Sequence, residues 1–221
     1  MSQDQRPMGR NAGLAPGGSV DFISTVFAGK PEEETVVLAY IDQGGNTSNK
    51  IARPEYLRVG PSGAQYYCVS STRNTHKRTK DDVLSAYVIV CDDIGTKSKE
   101  PPVAPNYTME TSPGNFQWGY LLQPFDVSTQ AGQEYYDACT VALAAAGYND
   151  PGCRSATRIV RMPWSQNYKN GWYSEVTWLD RDTRWDLAEL MVAMGTRVLP
   201  PTNGGKSKRK TAPVVAPEGR K

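Results

Sequence analysis

The sequence contains a single histidine, His76, among 221 residues. Serine and cysteine hydrolases commonly use a histidine as the base that activates the nucleophile, and here only His76 could serve. The sequence therefore argues against both classes of hydrolase. No pair of cysteines has the C-x2-C spacing of a zinc site, and one histidine excludes most mixed Cys/His zinc arrangements. We therefore predict free thiols in a reducing cytoplasm. The cysteines in question are Cys68, Cys91, Cys139 and Cys153.

Long apolar segments are also missing. No run approaches the roughly 18 consecutive apolar residues that a membrane-spanning helix needs. The N-terminus is polar and contains glycine and proline where a signal peptide has an apolar core. The sequence therefore predicts a cytoplasmic protein with no membrane partner. Its net charge of +2 is far from that of a strongly basic DNA-binding protein.

A hydrophobic content of 38% and an aromatic content of 10% support a folded core. Residues 1–18 are predicted to be a flexible lead-in, residues 19–199 one domain, and residues 200–221 a basic, disordered tail or linker. Basic residues also cluster in residues 73–80. Such clusters are footprints of phosphate binding, although on their own they are more often plain solvated surface.

Strand and helix patterns alternate along the chain, and several of them indicate antiparallel pairing. The predicted strands cover residues 36–41, 66–70, 86–91, 107–111, 116–122, 158–162 and 172–178. The predicted helices cover residues 19–28, 129–146 and 185–194. Asp182 or Thr183 is expected to cap the last helix. This order predicts an α+β domain with a mixed or antiparallel sheet and packed helices.

Two adjacent carboxylates, Asp92 and Asp93, follow the most apolar predicted strand. Burying carboxylates is costly unless a cation compensates the charge. Mg²⁺ and Mn²⁺ prefer oxygen ligands, so a metal site at this strand end is one interpretation. The other is a strand-end turn in which an aspartate caps the backbone.

Residues 110–119, ETSPGNFQWG, offer a hydroxyl, an amide and backbone N–H groups at a predicted tight turn. Such a turn can cradle phosphate oxygens, or it can simply be a well-formed hairpin. Residues 158–169 supply Arg158, Arg161, Asn167 and Lys169. Two arginines three apart on a strand face opposite sides, so only a bend before Pro163 would bring both to one site. A basic edge strand is the alternative.

The order of these three motifs resembles the RepB-type replicative primases of plasmids and phages, in the archaeo-eukaryotic primase superfamily. The resemblance covers roughly residues 83–178, and the middle motif is its most specific part. It implies a primase-polymerase catalytic domain on an RRM-like sheet, working in a bacterial host. Asp92 and Asp93 match the first acidic motif. A third metal-binding acid is expected before the arginine-containing strand, and Asp150 is the first choice, with Glu110 as its rival.

The resemblance also implies roles for the polar side chains of the other two motifs. In the middle motif, Ser112, Asn115 and Gln117 would lie near the nucleotide. The last motif would bind the triphosphate through Arg158, Arg161, Asn167 and Lys169. The implied cofactor is Mg²⁺ or Mn²⁺. The implied partners are a single-stranded DNA template, nucleoside triphosphates and a replicative helicase, in the same polypeptide or separate.

The chain departs from the pattern of many superfamily members in three places. Asp92 and Asp93 are adjacent, as in the RepB branch, so the strand must bend or end for both carboxylates to reach one metal site. The histidine that many members carry in the middle motif is missing, and Gln117 or Asn115 would have to replace it. His76 comes too early to be that residue, although it could approach the phosphates in space. Residues 162–165, MPWS, stand where relatives more often have Leu-Pro-Gly.

Two other functions compete with the primase hypothesis. A non-catalytic nucleic-acid-binding replication module would use the same basic and aromatic residues, without needing metal or nucleotide. A metal-dependent nuclease would cut DNA in Mg²⁺ without any nucleotide. The related strand-nicking initiators usually need a histidine pair, which a chain with one histidine lacks.

Overall fold

The computed structural model describes residues 18–53, 56–57, 64–73 and 75–199. Most of the predicted lead-in and all of the predicted tail therefore lie outside the described residues. The helices are α1 (Gly18–Val26), α2 (Gln130–Ala145) and α3 (Leu187–Ala193). The strands are β1 (Glu34–Ile41), β2 (Thr47–Ile51), β3 (Ala64–Arg73), β4 (Val83–Ile94), β5 (Tyr107–Ser112), β6 (Asn115–Asp126), β7 (Ile159–Arg161) and β8 (Glu175–Leu179).

The eight strands form one sheet in the order β2-β1-β3-β4-β6-β5-β8, with β7 paired to β3 beside this path. All pairings between these strands are antiparallel. The predicted α+β class with an antiparallel sheet and packed helices is confirmed. Within the part of the chain that the structure describes, no helix is both long and apolar enough to cross a membrane.

Strand β4 lies between β3 and β6, near the middle of the sheet. It is 12 residues long, and its central stretch from Ala86 to Cys91 is buried throughout. A continuous apolar run is what a strand covered on both faces requires. The residues that follow this stretch, Asp92 and Asp93, are only partly buried, so β4 runs from the core to the rim of the domain.

Helices α1 and α2 attach to the sheet through aromatic side chains. Phe22 of α1 packs edge-on against Tyr67 of β3 and Tyr107 of β5, with ring centroids 5.7 and 5.1 Å apart. The hydroxyls of Tyr67 and Tyr107 lie 2.8 Å apart and hydrogen-bond to each other inside the core. In α2, the hydroxyl of Tyr136 donates to the backbone carbonyl of Val88 over 2.7 Å. The hydroxyls of Tyr67, Tyr107 and Tyr136 thus have the partners that their burial requires.

Two details differ from the sequence-based prediction. Strand β2 was not predicted, because Thr47–Ile51 is polar and mostly exposed and has no alternating apolar residues. The last helix is capped by Asp186, whose side chain accepts from the N–H groups of Ala188 and Glu189. Asp182 and Thr183 therefore do not cap it: the hydroxyl of Thr183 is bound instead to Asp180, in the loop before the helix.

Gly119 of β6 offers a test of this packing. A Cβ atom at this position would overlap the ring of the fully buried Tyr107. We expect Gly119→Ala to lower the free energy of unfolding by about 1–3 kcal/mol, the usual cost of overpacking a core. Urea unfolding followed by circular dichroism measures the change.

The Tyr107→Leu background provides the control for this substitution. Removing the ring leaves room for the added methyl group, so Gly119→Ala should cost clearly less there than in the wild type. An equal cost in both backgrounds would show that contact with Tyr107 is not the reason that glycine is needed.

Candidate active site

The rim end of β4 contains a β-bulge. Cys91 pairs with Trp118 and Ile94 with Phe116, so β4 advances three residues while β6 advances two. The extra residue leaves Asp93 with a φ of 60°, in the left-handed region that side chains other than glycine rarely adopt. In a flat strand, adjacent side chains point to opposite faces. The bulge breaks that alternation at Asp92 and Asp93, which is the bend that two adjacent metal-binding aspartates require.

A tight turn follows the bulge. The backbone carbonyl of Asp93 accepts from the N–H groups of Thr96, Lys97 and Ser98, over 3.2, 3.0 and 2.9 Å. Gly95 has a φ of 86°, and a Cβ atom there would lie 2.8 Å from the carbonyl oxygen of Gly114. Only glycine therefore lets this turn pack directly against the β5–β6 hairpin.

Asn115 joins the aspartate turn to the hairpin. Its Nδ2 donates to Asp93 Oδ1 over 3.2 Å and to Thr111 Oγ1 over 3.1 Å. Its Oδ1 accepts from the hydroxyl of Thr96 over 2.6 Å. Because these three protein contacts use both N–H groups of the amide and one lone pair of its oxygen, Asn115 orients Asp93.

The predicted hairpin of the middle motif is present, with Ser112 paired to Asn115 across a two-residue turn. Gly114 has a φ of 72°, as the second central residue of a type II turn requires. Glu110 Oε1 accepts from the N–H of Gly114 over 2.8 Å. The carboxylate of Glu110 is thus used by the turn itself, while Ser112 is partly exposed at its edge.

Asp92 is partly buried between the end of β4 and the loop that follows α2. Its N–H donates to Asn149 Oδ1 over 2.9 Å, and its Oδ2 lies 3.7 Å from the thiol of Cys153. Burial raises the pKa of Asp92, and the neighbouring charge of Asp93 raises it further. The hydrogen bond from the Asp93 N–H, the amide of Gln117 and the charge of Arg158 act in the opposite direction. Asp92 is therefore an anion that its surroundings only partly stabilise.

The loop that follows α2 contributes further polar groups beside Asp92. Arg158 Nη1 donates to the carbonyl of Gly152 over 2.9 Å, and Asp150 accepts from the N–H of the same glycine. Over the described ranges, no group of three His, Cys, Asp or Glu side chains could hold a metal ion in this conformation. Asp150 as the third metal ligand therefore stays a prediction.

The residues of the last motif differ in their contacts. Arg161 lies over the ring of Tyr66 at 4.9 Å, and its guanidinium donates to the Tyr66 hydroxyl over 2.9 Å. Asn167 Nδ2 donates to the carbonyl of Thr111 over 3.4 Å, which ties this motif to the hairpin. Lys169 is exposed and donates its backbone N–H to Asn167 Oδ1. Arg158 precedes β7 and is not part of the strand, so strand alternation does not separate the two arginines.

His76 lies at the opposite end of the sheet from the aspartates. It follows β3, whose last residue, Arg73, bonds to Asp82 just before β4 begins. Nine residues of β4 separate Val83 from Asp92, which corresponds to about 30 Å of extended chain. His76 is exposed there and does not approach the site.

The residues in direct contact with the aspartates include Asn149, Cys153 and Lys97, which were not predicted as site residues. Asn149 follows Asp92 by 57 positions in the sequence and lies in a polar loop with no distinctive local pattern. Lys97 forms an ion pair with Asp93 Oδ2 over 2.7 Å. The GTK sequence after the aspartates is the only local pattern that could have indicated it.

Several polar atoms around Asp92 are buried without a partner within the described part of the protein. They are Asn149 Nδ2, Gln117 Oε1 and Arg158 Nε. Buried polar groups are normally paired, so such a cluster is typical of a site that receives a ligand. Carboxylate oxygens are the donor type that Mg²⁺ and Mn²⁺ prefer, and a bound cation would offset the burial that raises the pKa of Asp92. Asp92 and Asp93 thus fit a divalent cation as two of its ligands.

Comparison with solved structures shows the same fold in two primase domains. The AEP domain of the primase-polymerase of cyanophage S-2L aligns with a TM-score of 0.60 at 10% identity, covering 80% of this chain and 96% of that one. The catalytic domain of primase RepB′, solved in complex with initiator DNA, aligns with a TM-score of 0.51 at 15% identity, covering 80% of this chain and 93% of that one. At these identities the likeness shows the fold alone.

Sequence comparison identifies the family directly. No curated protein sequence matches the chain. The family model described as the RepB DNA-primase N-terminal domain, however, matches residues 31–192, which is well over half of the chain and includes all three motifs. The chain therefore belongs to the RepB DNA-primase N-terminal domain family.

Proposed function

We propose that this domain is a DNA primase or primase-polymerase that transfers nucleotides from nucleoside triphosphates to a growing 3′-hydroxyl on a single-stranded DNA template. The observation that carries the proposal is the meeting of three separate motifs at the rim end of β4. Asn115 binds Asp93, Asn167 binds the hairpin at Thr111, and the charge of Arg158 acts on Asp92. Membership of a primase family supports the same conclusion.

The two aspartates would hold the metal, with Asp150 as the proposed third ligand. Bound Mg²⁺ or Mn²⁺ would supply charge that activates the attacking hydroxyl and stabilises the pyrophosphate leaving group. The side chains of the chain itself prepare this site. Asn115 orients the Asp93 carboxylate, and the positive charge of Arg158 favours the anionic form of Asp92.

The triphosphate would lie along the surface between the hairpin turn and the last motif. Lys169 is exposed and Ser112 is partly exposed, so both are available to phosphate oxygens. Gln117 is buried next to Asp92 and has an unpaired Oε1, which suits a contact deeper in the site. Arg161 is held against Tyr66, and it would have to give up one of its contacts to reach a phosphate. A helicase partner stays part of the proposal.

The DNA template is proposed from the family and from one structural neighbour. The neighbour is the catalytic domain of primase RepB′, whose crystal structure contains initiator DNA. In the present chain, the surface around Arg161 and Tyr66 combines a guanidinium with an aromatic ring. Such a pair suits an unpaired nucleic acid strand, because bases stack on aromatic rings and phosphates pair with arginine.

Replacing Asp92 by asparagine tests the catalytic proposal. The substitution keeps the side-chain volume and removes the charge, so we expect primer synthesis on single-stranded DNA to fall by at least about 100-fold. The assay uses labelled nucleotides with Mg²⁺ or Mn²⁺. Asp81→Asn is the matched control, since Asp81 is exposed at the opposite end of β4.

The outcomes of this assay separate the three candidate functions. Metal-dependent product from the wild type and from Asp81→Asn, but not from Asp92→Asn, supports the proposal. Full synthesis by Asp92→Asn would refute the assignment of Asp92. DNA binding without synthesis would indicate a binding module, and DNA cleavage in Mg²⁺ without nucleotide would indicate a nuclease.

The raised pKa of Asp92 predicts a second effect of the same substitution. A folded-state pKa above the unfolded value means that ionised Asp92 lowers stability near neutral pH, and that this cost disappears as the pH falls through the folded-state pKa. In EDTA at pH 7, we therefore expect Asp92→Asn to unfold at higher urea than the wild type, with the difference shrinking toward pH 4. Asp81→Asn should leave the midpoint unchanged, and a lower midpoint for Asp92→Asn at pH 7 would contradict the prediction.

A further inference from the structure

Lys97 is the one lysine within the described ranges that forms an ion pair with a proposed metal ligand. Its Nζ lies 2.7 Å from Asp93 Oδ2, on the opposite carboxylate oxygen from Asn115. The turn that carries it is held by backbone hydrogen bonds to the carbonyl of Asp93. Backbone hydrogen bonds thus fix where Lys97 lies in the structure, and its ammonium group is not needed to hold the turn.

All three proposed acidic ligands act on this one ammonium. The hydrogen bond and charge of Asp93 raise the pKa of Lys97, and the charges of Asp150 and Asp92 raise it further. The ammonium therefore lies in the combined negative field of the three carboxylates. That is the field that a divalent cation would enter.

The pairing of Lys97 is easy to break. The Lys97 side chain is 77% exposed, whereas that of Asp93 is 17% exposed. Exposed ion pairs contribute little to stability, and lysine is a strongly hydrated charge on a flexible stem. An incoming cation can therefore displace the ammonium at small cost, and Lys97 can move without disturbing the turn.

We propose that Lys97 neutralises Asp93 while the site holds no divalent cation, and that it moves to the nucleotide triphosphate when the cation takes its place. The neighbouring Thr96 bonds to Asn115 over 2.6 Å, and Gly95 packs against Gly114, so this turn lies directly beside the hairpin turn. A lysine leaving Asp93 thus has the proposed triphosphate surface within reach. The inference rests on the proposed function and adds to it a residue that would contact the triphosphate.

The test measures binding, without catalysis, in Lys97→Gln. Mn²⁺ binding is titrated by electron paramagnetic resonance in the absence of nucleotide, and we expect it to tighten by about twofold to fivefold, the effect of an exposed ion pair. Binding of a fluorescent α,β-imido nucleoside triphosphate is then measured at saturating Mn²⁺. We expect it to weaken by about tenfold, as for the loss of a charged hydrogen bond.

Two control variants accompany the test. Lys77→Gln makes the same change in net charge at an exposed position beyond the opposite end of β4, and it should leave both affinities unchanged. Lys97→Arg keeps the positive charge and should restore the Mn²⁺ affinity of the wild type.

The two affinities must change in opposite directions for the proposal to stand. Unchanged Mn²⁺ affinity in Lys97→Gln, or weakening of both affinities, would overturn it and would assign Lys97 a structural role. The proposed function would still stand in that case, provided that the wild type binds Mn²⁺ and synthesises primers. Absence of Mn²⁺ binding by the wild type would overturn the metal-dependent function itself, and the role of Lys97 with it.

Discussion

The candidate site depends on one constraint: β4 must carry two adjacent carboxylates out of a strand whose centre is fully buried. A regular strand would place one of them toward each face of the sheet. The bulge at Asp93, with its φ of 60°, removes that alternation at the cost of a strained backbone position. The strain persists because neighbouring groups hold this conformation: three backbone N–H groups bind the Asp93 carbonyl, and Asn115 binds its carboxylate.

The hairpin and the loop after α2 can be understood as supports for this bulge. Gly95 permits the contact with Gly114 that brings the hairpin turn against the aspartates. On the other side, Asn149 binds the N–H of Asp92, which lies inside the bulge between the pairs Cys91–Trp118 and Ile94–Phe116. The motif that resembles a phosphate cradle therefore also has a mechanical role, since without it the Asp93 carboxylate would lose its hydrogen-bond donor from Asn115.

Local sequence patterns predicted much of the fold. They did not indicate an exposed edge strand or the contacts between residues far apart in the chain. The apolar run of β4, the Pro-Gly turn before Asn115 and the helical pattern of α2 all depend on residues close together in the chain, so the sequence indicated them. Strand β2 was missed because an exposed edge strand needs no apolar pattern. The partners of Asp92 and Arg161 lie 57 and 95 positions away, at Asn149 and Tyr66, and no local pattern encodes such distances.

The two cations beside the aspartates differ in a way that suits different tasks. Arg158 is held by the carbonyl of Gly152, and its charge acts on Asp92. This guanidinium favours the ionised form of Asp92 and so offsets part of the effect of its burial. Lys97 is mostly exposed and pairs with Asp93, at the solvent side. A lysine with an exposed side chain can leave its carboxylate without opening a gap in the core, which is why the proposed exchange with a cation involves Lys97 and not Arg158.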